Sequence, residues 1–118
     1  MSKNNEKYFE KVLEEIEIIE KYKTLYFPAI GLIKQSILDG IVLRMIQMSE
    51  YLDSIDETFK NMHQDIEWRN IKGFRNRLVH DYGGVDLEFL ENAIKKDIPK
   101  LKKQLLNCIG KFDDENNK

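Results

Sequence analysis

From Ile33 to Ile55 apolar residues recur with a helical period, with Ile33, Ile37, Ile41, Met45, Met48, Leu52 and Ile55 in one stripe that Leu38, Val42 and Ile46 widen. A helix this apolar must be packed on more than one side, so the rest of the chain has to supply neighbours for it. Met45 and Met48 read as core filler, since methionine at helical spacing adapts to irregular gaps. Gly31 and Gly40 fall inside the pattern, and each costs roughly 1 kcal/mol relative to alanine unless close packing needs it. Gly40 is therefore expected at a helix crossing.

The first neighbour is a helix from about Asn5 to Lys23, with Phe9, Val12, Leu13, Ile16 and Ile19 on its buried side. Its acidic run Glu14, Glu15 and Glu17 reads as a solvated face. Pro28 marks the break before the long apolar helix. Beyond that helix, Ser54 and Glu57 have the spacing of a capping box and predict a short helix through about Asn61. His63 reads as a surface histidine in the polar connection that follows, and Asp65 as the N-cap of the next helix. Asp86 is placed to cap a final helix carrying Leu87, Leu90, Ile94, Ile98, Leu101, Leu105, Cys108 and Phe112, which Pro99 should kink or restart. The chain shows no repeat, linker, glycine-rich phosphate loop or alternating strand pattern. The expected fold is all-α, an antiparallel bundle of four main helices plus a short one, in a single domain over residues 1–118 with 1–4 and 113–118 frayed.

Composition agrees, with 34% charged and 42% apolar residues and only six glycines and two prolines. A formal charge of −2 supplies no global basic field, so any affinity for nucleic acid has to come from a local patch. The single cysteine, Cys108, excludes an intrachain disulfide and a cysteine-rich zinc site, and reads as a small filler on the last helix. No apolar run approaches the roughly 18 residues of a membrane helix and no signal-peptide core follows the charged N-terminus, so a cytoplasmic protein is expected.

The most informative stretch is Trp68 to Gly84, W-R-N-I-K-G-F-R-N-R-L-V-H-D-Y-G-G. Ile71, Phe74 and Leu78 give it an apolar stripe, and Gly83 and Gly84 are expected to end the helix by taking the left-handed conformation. Opposite the stripe lie Arg69, Lys72, Gly73, Asn76 and His80, with Arg75 on the boundary. Arg69, Lys72, Arg75 and Arg77 form the candidate local basic patch. Arg75 and His80 are about 140° apart on an ideal helix, so they converge only if the last turn unwinds or a second subunit brings another pair. On spacing alone, a basic exposed helix face with an incidental histidine is the commoner meaning of such a stretch. No His, Cys or carboxylate set has metal-ligand spacing, and no cofactor is expected.

These residues resemble the HEPN superfamily of metal-independent ribonucleases, whose signature of arginine, polar residue and later histidine is matched by Arg75, Asn76 and His80. The longer R-x4-H-x-Y pattern, Arg75, His80 and Tyr82, is similar to the HepT toxin branch, and the resemblance runs from about Ile37 to Leu106 through V-D-L-E and D-I-P-K-L-K. One departure is Gly83, where relatives often carry a bulky or aromatic residue. The resemblance implies the toxin of a type VII-like toxin-antitoxin pair, an RNA endonuclease whose partner, a MntA-like nucleotidyltransferase antitoxin, adds AMP to Tyr82. An alternative is a non-catalytic HEPN helical module that docks a nucleotidyltransferase or a nucleotide.

The groups suit the chemistry of the first reading. Metal-free RNA cleavage needs a base for the 2′-hydroxyl, an acid for the leaving 5′-oxygen and positive charge for the pentavalent phosphate between them. His80 sits at a helix C-terminus beside Asp81, both of which favour its charged form, while Arg75 offers permanent charge and planar bidentate hydrogen bonds. Asn76 is expected to bind phosphate or orient the imidazole, and Arg69, Lys72 and Arg77 to hold RNA. Gly73 shares a face with Arg69, Asn76 and His80 and lets another backbone approach, so a two-fold homodimer is expected across it.

Overall fold

The computed structural model describes residues 2–110. Helix α1 (Lys3–Tyr26) packs chiefly against α2 (Gly31–Asp53), and α2 packs in turn against α4 (Trp68–Asp81). The short α3 (Glu57–Met62) bridges α2 and α4, while α5 (Leu87–Asn92) and α6 (Ile98–Cys108) form one interrupted helix that closes against α1. Four long elements and one short one thus make an all-α bundle, with no strand among the described residues. None of the described helices is long and apolar enough to cross a membrane.

The apolar pattern of α2 places it at the centre, with Leu38, Ile41, Val42, Met45, Met48 and Leu52 all buried. From α1 they meet Phe9, Val12, Ile16 and Ile19 at the positions the periodicity predicts. Gly40 lies at the crossing, where a Cβ would come within 3.4 Å of the Tyr22 ring. Tyr26 is buried at the end of α1, and its hydroxyl donates to Glu91 Oε2 at 2.9 Å, tying α1 to α5.

The predicted stripe fails at its first member, since Ile33 is 71% exposed and Leu32 beside it 82%. The turn that follows α4 ends against Gln35 and Asp39, so the first turn of α2 extends past its neighbour. Gly31 opens α2 with φ +62°, a conformation that explains the glycine better than close packing does.

Two of the capping expectations shift, and α1 starts earlier than expected. Helix α1 starts at Lys3 rather than near Asn5, with Ser2 as its N-cap, accepting from Asn5 N at 3.1 Å. Ser54 is the C-cap of α2, its backbone right-handed and its hydroxyl donating to Glu50 O at 3.1 Å, whereas Asp56 has the extended backbone an N-cap needs and accepts from Phe59 N at 2.9 Å. Glu67, not Asp65, precedes α4, with no side-chain cap. Buried Ile66 and the Trp68 indole, donating from Nε1 to His63 O at 3.0 Å, anchor that start instead. His63 itself is half-buried, its ring 4.3 Å from that of Phe59.

Asp86 caps α5 as expected, accepting from Glu88 N at 3.0 Å. Between α5 and α6, Ala93–Asp97 forms a π-turn in which Ile98 N–H reaches back to Ala93 O. Pro99 lacks an N–H and its ring would clash with the carbonyl four residues earlier, so the wider turn accommodates it while Ala93, Ile94, Ile98, Leu101 and Leu105 stay buried. Leu87 departs from the predicted stripe and is exposed. Cys108 is half-buried, and burial, with the nearby Asp65 carboxylate, pushes its thiol up to about 11. The expectations for Met1, Phe112 and the tail from Asp113 to Lys118 lie outside the described residues.

Asn5 is one of two buried polar residues among those described, and its side-chain amide is satisfied at long range by Asp56: Nδ2 donates to Asp56 Oδ2 at 3.0 Å and Oδ1 accepts from Asp56 N at 3.3 Å. Asp56→Ala removes the α3 cap and strands the Asn5 amide, so it should lower stability by about 1–3 kcal/mol in urea unfolding. Asp56→Asn should recover much of that loss.

Candidate active site

Helix α4 buries Leu78 and half-buries Ile71 and Phe74, the last 5.5 Å from the Phe89 ring. That packing turns Arg69, Gly73, Asn76 and His80 outward as one exposed row, as the helical period requires. The helix continues unbroken through His80 to Asp81. Unwinding of the last turn therefore does not bring Arg75 and His80 together within one chain.

The end of α4 differs from the glycine cap expected. Neither Gly83 nor Gly84 has a positive φ; Tyr82–Gly84 forms a 3-10 turn closed by Val85 N–H donating to Tyr82 O at 3.1 Å. A Cβ at Gly84 would stand 2.5 Å from Asp81 Oδ2, so a larger residue there would make the exposed Asp81 carboxylate swing aside.

Arg75 is largely covered, with 18% of its side chain exposed, and is held from two directions. Its Nε donates to Asn76 Oδ1 at 3.1 Å, and its Nη2 lies 4.0 Å from Asp53 Oδ2. Asn76 thus orients the arginine rather than the imidazole. Asp53, at the C-terminal end of α2, also draws Lys72 Nζ to 3.8 Å and Lys60 Nζ to 3.7 Å. His80 is exposed, and its ring has no hydrogen bond, ion pair or ring contact among the described residues.

The four basic residues do not form one patch. Lys72 and Arg75 lie over Asp53, whereas Arg69 and Arg77 line a cavity of about 470 Å³ on the other side of α4 with Gly73, Phe74, Phe89 and Lys100. Arg77 sits over the Phe89 ring at 5.5 Å. Helix α4 packs on α2 and touches Phe89 of α5, and successive long side chains along it go to both flanks of that contact.

Tyr82 is half-buried and turned toward α2, where its hydroxyl donates to Asp39 Oδ1 at 2.6 Å. Gln35 Nε2 donates to the same carboxylate oxygen at 2.9 Å and lies 3.4 Å from the tyrosine hydroxyl. Burial, and then the Asp39 carboxylate, push the Tyr82 hydroxyl up to about 12, so at neutral pH it keeps its proton and donates. The sequence pattern does not pick out Gln35, Asp39 or Asp53. The first two stand i,i+4 on the most apolar helix, which is the available signal; nothing local distinguishes Asp53 from any polar helix end.

No group of three or more His, Cys, Asp or Glu side chains suited to a metal occurs among the described residues. The site offers a fixed guanidinium, an exposed imidazole and a tethered phenol along one helix and its following turn.

Comparison with known proteins places this arrangement. Residues 12–107 match the family described as HepT-like, ribonuclease HepT-like. A protein named probable ribonuclease HepT from Thermococcus cleftensis is 32% identical over 115 residues, covering 96% of each chain. A candidate RNase of Caldanaerobacter subterraneus subsp. tengcongensis is 30% identical, over 88% of this chain and 93% of its own. A Methanocaldococcus jannaschii protein, named as a gamma-glutamylcyclotransferase and candidate RNase, is 30% identical along the whole chain, which spans only 54% of that relative's length. No solved structure matches significantly. With four-fifths of its length inside the family match, the chain belongs to the HepT-like ribonucleases of the HEPN superfamily.

Proposed function

We propose that the protein is the toxin of a type VII-like toxin-antitoxin pair, a cytoplasmic, metal-independent endoribonuclease that acts as a homodimer. The observation that carries this reading is the contrast between Arg75, fixed by Asn76 and Asp53, and His80, exposed on the same helix with no partner among the described residues. A preorganised cation costs no reorganisation when phosphate charge develops, and an unengaged imidazole is available to move protons.

In the reaction His80 takes the proton of the 2′-hydroxyl, whose oxygen attacks the adjacent phosphorus. Arg75 binds the non-bridging oxygens as their charge grows, and the 5′-oxygen leaves with a proton, giving a 2′,3′-cyclic phosphate and a 5′-hydroxyl. A second His80, from a two-fold partner, supplies that proton. Lys72 is exposed and its contact to Asp53 is long, so exchanging that surface pair for an RNA phosphate costs little. Arg69 and Arg77 bind flanking RNA from the other side of α4.

Neutralisation follows from Tyr82. A MntA-like nucleotidyltransferase adds AMP to its hydroxyl, which places a phosphate charge and a bulky nucleotide two residues from His80 and competes with RNA both by charge and by volume.

His80→Ala and Arg75→Ala should each lower RNA cleavage by about 100-fold or more, with helical circular dichroism intact. Activity should survive EDTA and vanish when the ribose at the cut site is 2′-deoxy. A folded, inert wild-type chain would instead favour a non-catalytic binding module.

Gly73 is exposed, and nothing lies within 4 Å of where a Cβ would stand, so a larger residue is harmless to the isolated protomer. Gly73→Leu should therefore weaken dimerisation and activity together in ultracentrifugation and cleavage assays, without lowering protomer stability. A fully active monomer would rule out the shared site.

Tyr82→Phe should cleave RNA yet gain no mass when incubated with the nucleotidyltransferase and ATP. A mass gain that persists in Tyr82→Phe would exclude this tyrosine as the switch.

A further inference from the structure

Tyr82 is held in a way that bears on how it reacts. Its hydroxyl is already aimed at a carboxylate 2.6 Å away, a short charge-assisted hydrogen bond along which a proton can pass. Gln35 fixes that carboxylate by donating to the same oxygen at 2.9 Å. Asp39 and Gln35 are both exposed, so the hydroxyl lies where another enzyme can reach it. The other ionisable group felt by Tyr82 is Tyr26 of α1, whose own proton is committed to Glu91 and which stays neutral until about pH 12.

We infer that Asp39 is the base that receives the Tyr82 proton when the hydroxyl oxygen attacks the α-phosphorus of ATP, an inference that rests on the modification proposed above. In that step the Tyr82 oxygen forms the new bond to the α-phosphorus. The bond from that phosphorus to the bridging oxygen breaks and pyrophosphate leaves. The hydroxyl proton passes to the Asp39 carboxylate and from there to solvent. ATP is the only co-reactant, and nothing is oxidised or reduced. A phenol with its proton held this firmly is a poor nucleophile unless a base sits beside it, so the chain being modified contributes part of the chemistry of its own modification. After transfer the hydrogen bond between Tyr82 and Asp39 is gone, and the new phosphate lies near the same carboxylate.

The test follows the mass of the chain against time with the MntA-like nucleotidyltransferase of the same genome and ATP, for wild type, Asp39→Asn and Gln35→Ala. Asp39→Asn keeps a hydrogen-bond acceptor but not a base, and should be modified roughly 100-fold more slowly while retaining its helical circular dichroism. The deficit should shrink about tenfold for each pH unit between about pH 7 and pH 9, because without a local base the phenol must first lose its proton to solvent. Comparison with wild type at each pH cancels the titration of the partner enzyme. Gln35→Ala removes only the neutral bridge and should lose a few-fold at most, with the pH dependence of wild type. Asp39→Asn modified at the wild-type rate would overturn the inference and leave the modification standing. So would a deficit that stays constant with pH, or an equal loss in Gln35→Ala, since either would mean that Asp39 only holds the turn in place. No mass gain in wild type would overturn the modification itself, and the inference with it.

Discussion

The arrangement depends on α2 being covered from two sides. Its buried residues leave no freedom to rotate, because α1 fills one flank through Phe9, Val12, Ile16 and Ile19 while α4 occupies another. A helix fixed in this way also fixes the polar residues on its remaining surface. Asp39 and Asp53 lie toward opposite ends of that surface, and each meets a different part of the Arg75 to Tyr82 segment. The apolar core is thus what gives the polar site its dimensions. Apolar burial of this kind has no directional preference of its own; direction comes from the few hydrogen bonds that the packed helices leave no choice but to make.

The two carboxylates hold the segment differently. Asp53 is shared among Lys60, Lys72 and Arg75 at 3.7–4.0 Å, so none of the three cations neutralises it alone. Asp39 accepts a short hydrogen bond from a half-buried phenol and a second one from Gln35. Around Arg75 the protein therefore keeps a cation in place while leaving its charge available to an incoming phosphate, and around Tyr82 it keeps a proton in place. Between them, His80 projects from the last turn of α4 without a fixed contact. A positioned cation, an unengaged imidazole and a restrained phenol thus lie within eight consecutive residues, Arg75 to Tyr82.

Much of the fold was legible in the chain. The periodicity from Ile37 to Ile55 requires a doubly packed helix, Gly40 marks its crossing with α1, Asp86 starts α5, and Pro99 disturbs the last helix as expected. Helix ends were less legible. Ser54 and Glu57 match a capping box, yet Ser54 keeps a right-handed helical backbone as the C-cap of α2, and the extended backbone that an N-cap requires is found two residues later at Asp56, where Asn5 anchors it. Local pattern competes there with a contact 51 residues away, and the distant contact prevails.

Spacing along the chain is enough to read the helix count, the central place of α2, the outward row of Arg69, Gly73, Asn76 and His80, and the pattern Arg75, His80 and Tyr82 in which the family resemblance is seen. These follow from spacing along one chain, which a helix converts directly into direction. It took the packed bundle to show that the basic residues divide between two flanks of α4, that Asn76 bonds to Arg75, and that Tyr82 is engaged by Asp39. Those outcomes depend on the rotation and offset of α4 against α2, which many weak apolar contacts set together and no single stretch of sequence encodes.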